Sequence, residues 1–168
     1  TSLSSIGYDK TANITGGVAG YEDYWVVKLD NTGAIQWQNT IGGKSDDFLT
    51  CVEPTADGGY IIGGYSNSTA TGDKTETHFI GGTYQYDYWV LKLNAAGNIE
   101  WQNTIGGTAD DYLIDLAITP DGGYILGGYS FSNAAGDKAE PSKGGADFWI
   151  VKLGAIGNIE WQNTIGGD

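Results

Sequence analysis

Few residues of this chain have the types and spacing that enzyme catalysis needs. His78 is the only histidine and Cys51 the only cysteine. A serine or cysteine nucleophile requires a base within hydrogen-bond reach and a third group that orients the base. His78 lies in a segment that no other part of the chain matches, and Cys51 lies in a predicted strand near Leu49 and Val52. We therefore expect a surface loop histidine and an inert strand cysteine.

Carboxylates are plentiful, but they recur along the chain. Glycoside hydrolysis needs two carboxylates at a set separation and in different environments. Such a catalytic pair is a single asymmetric arrangement, whereas the acids of this chain repeat with the sequence. We therefore predict that the protein is not an enzyme, and we place a hydrolytic or calcium-dependent enzyme third among its functions.

Recurring aspartates in predicted loops suit a second chemistry, the binding of Ca²⁺, which takes roughly six to eight oxygen ligands. Acidic pairs precede the first strand of each full repeat, and single aspartates recur next to a lysine. The candidate ligands are Asp9, Asp46, Asp47, Asp73, Asp110, Asp111 and Asp137. The chain has no twelve-residue loop of the DxDxDG type, and aspartates also cap turns, so both interpretations stay open. No other cofactor is predicted.

The composition excludes several kinds of partner. The 168 residues include 21 acidic and 8 basic residues, all of the latter lysine, for a formal net charge of −13. Nucleic acids and anionic membranes attract clustered Lys and Arg, so we predict no nucleic-acid binding. No apolar run reaches the ~18 residues of a membrane span, so we predict no membrane insertion. With 28 glycines and 12% aromatic residues, the chain is expected to be a turn-rich, all-β protein.

Internal repeats organise the chain and so decide its fold. A run of the form D(Y/F)W(V/I)(V/L)KL occurs at 23–29, 87–93 and 147–153. The run WQNTIGG occurs at 37–43, 101–107 and 161–167. The run DGGYI(I/L)GGYS occurs at 57–66 and 121–130. We therefore predict a single repeat domain or fragment that comprises a half repeat at 1–43 and full repeats at 44–107 and 108–168.

Each full repeat contains four predicted strands. An Asp-Gly-Gly turn with a glycine that can take positive φ joins the first two as a hairpin. The first and second strands are predicted at Phe48–Glu53, Tyr60–Ser66, Tyr112–Thr119 and Tyr124–Ser130. The third and fourth are predicted at Tyr88–Leu93 and Ile99–Ile105 in the first full repeat.

Alternation along these strands predicts a register. If Leu93 pairs with Ile99, Leu91 lies opposite Trp101 and Lys92 lies opposite Glu100. We expect Lys92 and Glu100 to form an exposed cross-strand ion pair, which would contribute about 0.2–1 kcal/mol.

A four-stranded antiparallel unit that recurs every ~60 residues is typical of a β-propeller blade. A closed propeller has roughly four to eight blades, and this chain has about two and a half. We therefore predict an incomplete ring. A longer chain or neighbouring copies would complete it, or the sheets would form an open stack. Because unpaired sheet edges invite association, we expect self-association or the remainder of a longer repeat chain as a partner.

From about Asp23 onward, the motifs DGGYI(I/L)GGYS, D(Y/F)W(V/I)(V/L)KL and GNIEWQNTIGG resemble the repeats of large secreted and cell-surface proteins of Bacteroidota-type gliding bacteria. Many of those proteins leave the cell by the type IX route. The resemblance implies β-propeller-like blades and an extracellular or cell-surface location. It implies no catalytic residue.

Aromatic side chains are the candidates for ligand binding. All six tryptophans alternate in phase with aliphatic residues, so we expect them in the core. The loops between the second and third strands differ most between repeats, and binding residues concentrate in loops on a constant scaffold. Neutral drift would also make these loops variable. The candidates are Tyr8, Tyr21, His78, Phe79, Tyr84, Tyr86 and Phe131.

Two functions follow from these observations. The first is a non-catalytic, extracellular binding or adhesion module that recognises a glycan or a protein through its loops. The alternative is a structural subunit or segment of a surface fibre or adhesin, assembled as a filament by sheet-edge pairing.

Overall fold

A computed structural model describes residue 10, residues 20–77 and residues 85–167. In this part of the chain the protein is all-β and antiparallel, as predicted, with ten strands and no helix. The strands are β1 (Tyr24–Leu29), β2 (Ile35–Ile41), β3 (Asp47–Pro54), β4 (Tyr60–Ser66), β5 (Asp87–Leu93), β6 (Ile99–Ile105), β7 (Asp111–Ile118), β8 (Tyr124–Ser130), β9 (Asp147–Leu153) and β10 (Ile159–Ile165). The predicted strands are confirmed to within one residue at each end.

The strands form three sheets, each a simple meander. Sheet A contains β1 and β2, sheet B contains β3 to β6, and sheet C contains β7 to β10. Strand β1 contacts β3, and β3, β4 and β5 contact β7, so sheet B lies between sheets A and C. Among the described residues, the sheets close into neither a ring nor a barrel.

Two apolar layers hold the three sheets together. Between sheets A and B, Tyr24 and Val26 pack in one cluster with Trp89 and Leu91 of β5. Between sheets B and C, the other face of β5 packs in a second cluster with β9. Every residue of β5 is therefore buried. Because sheet B has a neighbour on both faces, its alternating pattern does not separate a buried face from an exposed one.

The predicted pairing of Leu93 with Ile99 is confirmed, but the pairing of Leu91 with Trp101 is wrong. The register shifts between Lys92 and Leu93, and Leu91 therefore pairs with Gln102. This bulge leaves Glu100 without a direct cross-strand partner, and its carboxylate lies 3.0 Å from the Lys92 Nζ. The predicted ion pair therefore forms through an irregularity that alternation does not reveal.

The prediction that this ion pair is exposed is wrong for the lysine. Lys92 is only 5% exposed. Its Nζ also lies 2.8 Å from the Asp57 carboxylate of the β3–β4 turn. Lys152 of sheet C repeats the arrangement with Asp121 and Glu160. Each ammonium group is thus covered by a hairpin turn and held between two carboxylates.

The six tryptophans differ in burial, and Trp25 of β1 is half-buried. Trp89 and Trp149 in the third strands are completely buried, as predicted, and each indole N–H donates to a glutamine of the fourth strand. Trp37 and Trp101 in the fourth strands are half-buried. Trp161 is 50% exposed, so the prediction of a core position is wrong for this residue. No sheet of the described structure lies against its side of sheet C.

Candidate ligand-binding surface

Six aromatic side chains form a continuous surface across sheets B and C, which we call the aromatic strip. Its members are Phe48, Tyr65, Tyr86, Tyr112, Tyr129 and Phe131. The ring centroids of Tyr65 and Tyr112, which lie in different sheets, are 4.9 Å apart. Successive neighbours along the strip are 4.9 to 6.1 Å apart, within the range of favourable ring contacts.

The strand pairing explains the strip. Phe48 lies directly opposite Tyr65 in β3 and β4, and Tyr112 lies directly opposite Tyr129 in β7 and β8. Directly opposed side chains are close enough to touch. The two pairs occupy equivalent positions of the repeat, so the packing of sheet B on sheet C places them side by side. Tyr86 then contributes a fifth ring, 5.4 Å from Tyr65 and 5.5 Å from Tyr112.

The strip is accessible to a ligand along its length. Tyr129 and Phe131 are 38% and 46% exposed, and the other four rings are half-buried. A half-buried ring is held rigidly by its neighbours and still presents an edge or a face to solvent. Such rings lose little conformational entropy when a ligand packs against them.

Polar groups border the strip. The Tyr112 hydroxyl donates to the Asp110 carboxylate at 3.1 Å. Burial raises the pKa of Tyr86 to about 12, and the nearby Asp46 carboxylate acts in the same direction. Burial and Asp110 likewise hold the pKa of Tyr112 well above its usual range. These phenols stay protonated at neutral pH, so each can donate a hydrogen bond.

Asp46 and Asp110, the first residues of the two acidic pairs, each anchor the segment that leads into a third strand. The Asp46 carboxylate accepts a hydrogen bond from the Glu22 backbone N–H, and the Asp110 carboxylate accepts one from the Tyr86 backbone N–H, both at 3.0 Å. The second interaction fixes Tyr86 in the aromatic strip. Asp110 therefore both positions one ring and binds the hydroxyl of another.

The other four described candidate ligands accept hydrogen bonds from loop residues. Asp47 accepts from the Gly43 N–H at 2.7 Å and from the Ser68 hydroxyl at 3.1 Å, and Asp111 repeats both bonds in the next repeat. Asp73 and Asp137 each accept from a glycine N–H at 3.3 Å. Burial raises the pKa of all four carboxyl groups.

A buried lysine lies among these carboxylates in each full repeat. The Lys74 Nζ donates to the Thr104 hydroxyl at 2.6 Å and lies 4.9 Å from the centroid of the Trp89 ring. Burial lowers its pKa to about 8, while the Asp47 and Asp87 carboxylates act in the opposite direction. Lys138 occupies the equivalent position over Trp149. Each lysine brings a positive charge close to the candidate Ca²⁺ ligands.

Across residues 20–77 and 85–167, no group of three or more His, Cys, Asp or Glu side chains is arranged to hold a metal ion. Six of the seven candidate ligands lie in these ranges, and Asp9 lies outside the described residues. Calcium binding therefore stays a prediction.

In the same ranges no helix has the length and apolarity of a membrane span.

Three of the seven candidate ligand-binding residues lie among the described residues, and two of these three share one surface. Tyr86 and Phe131 belong to the aromatic strip. Tyr21 is half-buried ahead of β1 and is not part of the strip. The other candidates lie outside the described residues: Tyr8, His78, Phe79 and Tyr84.

Four strip residues were missed because they belong to strands rather than loops. One signal could have revealed them. The equivalent positions Phe48 and Tyr112, and likewise Tyr65 and Tyr129, are aromatic in both full repeats. Phe48 and Tyr65 lie on the two strands of one predicted hairpin, and Tyr112 and Tyr129 on those of the other, so a regular ladder would make the two aromatics of each repeat neighbours.

Cys51 has the surroundings of an inert residue. It is 8% exposed, and its Sγ lies 3.4 Å from the Gly63 carbonyl oxygen. Burial raises the pKa of the thiol to about 11. Because the thiolate is the nucleophilic form, Cys51 is poorly suited to covalent chemistry.

No protein-family model matches the chain, and a search of curated proteins gives no significant match.

Proposed function

We propose that this chain is a non-catalytic binding module whose aromatic strip recognises a glycan. The observation that carries the proposal is a continuous surface of six partly exposed rings that spans two sheets. Sugar rings present C–H faces that pack on aromatic rings. Their hydroxyl groups require the donors and acceptors that Tyr112 and Asp110 supply.

The charge of the protein favours a neutral glycan. The net charge is −13, and Asp46 and Asp110 lie beside the strip. A sulfated or uronic-acid-rich polymer would meet like charge, which costs affinity at short range. A hydroxyl-rich, uncharged oligosaccharide meets no such repulsion.

The repeated sheets support a wider interpretation of the architecture. Face-to-face stacking of four-stranded antiparallel meanders is the arrangement of blades in a β-propeller, and we infer that sheets B and C are blades of this kind and that sheet A is half of one. The resemblance of the repeats to secreted surface proteins supports an extracellular or cell-surface location. Recurrence of the strip in further blades would combine weak sites into a stronger one.

Binding to uncharged oligosaccharides of defined length, measured by calorimetry, tests the proposal. The test variant replaces Tyr129 and Phe131, the two most exposed rings of the strip, by serine. A matched control replaces Ile156, which is 80% exposed and lies in the β9–β10 turn outside the strip, by serine. We expect the double variant to bind at least about tenfold more weakly, which corresponds to ~1.4 kcal/mol, and the control to bind as the wild type does. Equal binding by all three proteins would refute the assignment.

The alternative function is that of a structural subunit of a surface fibre. One observation favours it: β6 and β10 are edge strands of sheets B and C, each seven residues long. Unpaired backbone groups of edge strands can pair with another chain. Electron microscopy that shows filaments, in a protein without glycan affinity, would favour this function over the first.

A further inference from the structure

Equivalent residues of the three sheets differ in exposure in a systematic way. The isoleucine that ends the fourth strand is 3% exposed in sheet A, 2% in sheet B and 51% in sheet C, as seen for Ile41, Ile105 and Ile165. The aromatic residue at the second position of the run D(Y/F)W behaves alike. Tyr24 and Tyr88 are fully buried, and Phe148 is 51% exposed. We call Phe148, Trp161 and Ile165 the open face of sheet C.

Sheet A has a complementary open face. Leu29 and Ile35 are 53% and 42% exposed. Their counterparts in sheet B are covered, because Leu93 is completely buried and Ile99 packs against the apolar layer that joins sheets A and B. The end of sheet A that carries Leu29 and Ile35 is therefore apolar and exposed, whereas Lys10 lies over the Trp25 ring further along β1.

The two internal interfaces show what normally joins such faces. The Trp37 indole N–H donates to the Ala95 carbonyl at 3.1 Å, and the Asn39 side-chain amide donates to the Gly97 carbonyl at 2.6 Å. Gly97 has a φ of +84°, and a Cβ at this position would lie 3.0 Å from the Trp37 ring. A Trp and an Asn of the fourth strand thus donate hydrogen bonds to the glycine turn of the next sheet and pack against it.

The same contact recurs between sheets B and C. Asn103 donates to the Gly157 carbonyl, and a Cβ on Gly157 would lie 2.9 Å from the Trp101 ring. Gly157 is buried beneath that ring, as Gly97 is beneath Trp37.

Sheets A and C each carry one unoccupied half of this contact. Trp161 and Asn163 of sheet C are exposed, with no turn of the described chain against them. The equivalent turn of sheet A, residues 30–34, contains Gly33 with a φ of +86°. No described atom lies within 4 Å of a Cβ built on Gly33. Each half of the contact that lacks a partner could therefore bind the other half on a second copy of the chain.

We propose that copies of this chain associate head to tail through these two faces. The 30–34 turn, Leu29 and Ile35 of one copy cover Trp161, Ile165 and Phe148 of the next, and continue the sheet stacking that already joins sheets A, B and C. This contact is face to face and differs from sheet-edge pairing. Because the contact uses two different faces, an open assembly always has one free face of each kind, so it either grows as an open chain or closes into a ring.

The proposed contact between copies differs from the internal interfaces by one hydrogen bond. Tyr24 and Tyr88 donate their hydroxyl protons across the internal interfaces to the backbone carbonyls of Trp89 and Trp149. Sheet C has Phe148 at this position and lacks the hydroxyl. The contact between copies therefore has one hydrogen bond fewer than the internal interfaces. Since each copy carries a charge of −13, added salt should strengthen association by screening the repulsion.

Sedimentation velocity and native mass spectrometry, at protein concentrations up to about 1 mM, test the proposal. Gly33→Asn keeps a residue that tolerates positive φ but places a side chain where the indole of the other copy would lie. Gly122→Asn is the matched control, because Gly122 has a φ of +82° and equally free space. Trp161→Ser removes the opposite half of the contact.

We expect the wild type and Gly122→Asn to associate alike, and Gly33→Asn and Trp161→Ser to associate at least about tenfold more weakly. Phe148→Tyr restores the missing hydroxyl and should tighten association. Circular dichroism establishes that each variant folds. A wild-type protein that stays monomeric at the highest concentration overturns the proposal. Association that neither Gly33→Asn nor Trp161→Ser weakens overturns it as well.

Discussion

The glycine turns that join neighbouring sheets allow the energy of the sheet-to-sheet contact to be measured directly. Gly97 and Gly33 occupy equivalent positions, with φ angles of +84° and +86°. A Cβ on Gly97 would lie 2.9 Å from the Asn39 side-chain nitrogen and 3.0 Å from the Trp37 ring, whereas a Cβ on Gly33 meets no described atom within 4 Å. Alanine therefore pays the same backbone cost at both positions, but only at position 97 does its Cβ also clash with the neighbouring sheet.

The expected magnitudes follow from these two contributions. A left-handed backbone costs an alanine about 1–2 kcal/mol, which is the expected loss for Gly33→Ala. Overpacking adds about 1–3 kcal/mol, so Gly97→Ala should lower the free energy of unfolding by about 2–5 kcal/mol. The ring of Trp37 cannot move away freely, because its N–H is bound to the Ala95 carbonyl.

Urea unfolding followed by tryptophan fluorescence measures both values. The protein concentration should be as low as the signal allows, so that Gly33 is compared in the monomer. Gly122→Ala, with a φ of +82° and free space around its Cβ, should behave like Gly33→Ala. If Gly97→Ala destabilises the protein no more than Gly33→Ala does, the packing of sheet A on sheet B is not the contact described here.

Two further predictions concern buried polar groups. Tyr88→Phe should lower the free energy of unfolding by about 1 kcal/mol, because the buried Tyr88 hydroxyl donates to the Trp149 carbonyl at 3.2 Å; Tyr129→Phe on the surface should leave it unchanged, and equal losses would contradict this account. Burial, reinforced by the Asp47 carboxylate, raises the pKa of Asp23 to about 7, so between the usual carboxyl pKa and pH 7 the folded protein binds a proton that the unfolded chain has released. The contribution of Asp23 to stability is therefore greatest at acidic pH and falls as the pH rises through about 7; melting temperatures at pH 5 and pH 8 should converge in Asp23→Asn relative to the wild type, and an unchanged gap would contradict the assignment.

The strands and hairpins could be predicted because their signals are local. Period-two alternation and the Asp-Gly turns located the six strands with predicted bounds to within one residue at each end. In the β3–β4 turn, Asp57 accepts a hydrogen bond from the Gly59 N–H, and Gly58 takes a φ of +83°, as such a turn requires. These interactions involve residues only a few positions apart, so the sequence contains the information needed to infer them.

The details of pairing could not be predicted in the same way. The bulge at Glu100 accompanies an ion pair with the Lys92 ammonium group, which also binds Asp57 of a different hairpin. Alternation alone assumes a regular ladder and cannot place an extra residue. It also cannot show that Lys92 is buried, because the turn that covers it is distant along the chain.

The sequence by itself determined an all-β chain of repeated antiparallel strands, because alternation, turn residues and repeats are properties of neighbouring residues. Only the tertiary structure decided which side chains share a surface. Tyr65 and Tyr112 lie in different repeats, and the packing of sheet B on sheet C brings their rings to 4.9 Å. The packing of sheet A on sheet B likewise buries Gly97, whereas Gly33 and Trp161 are exposed. Equivalent residues thus acquire different environments, because long-range stacking depends on which sheets have a neighbour.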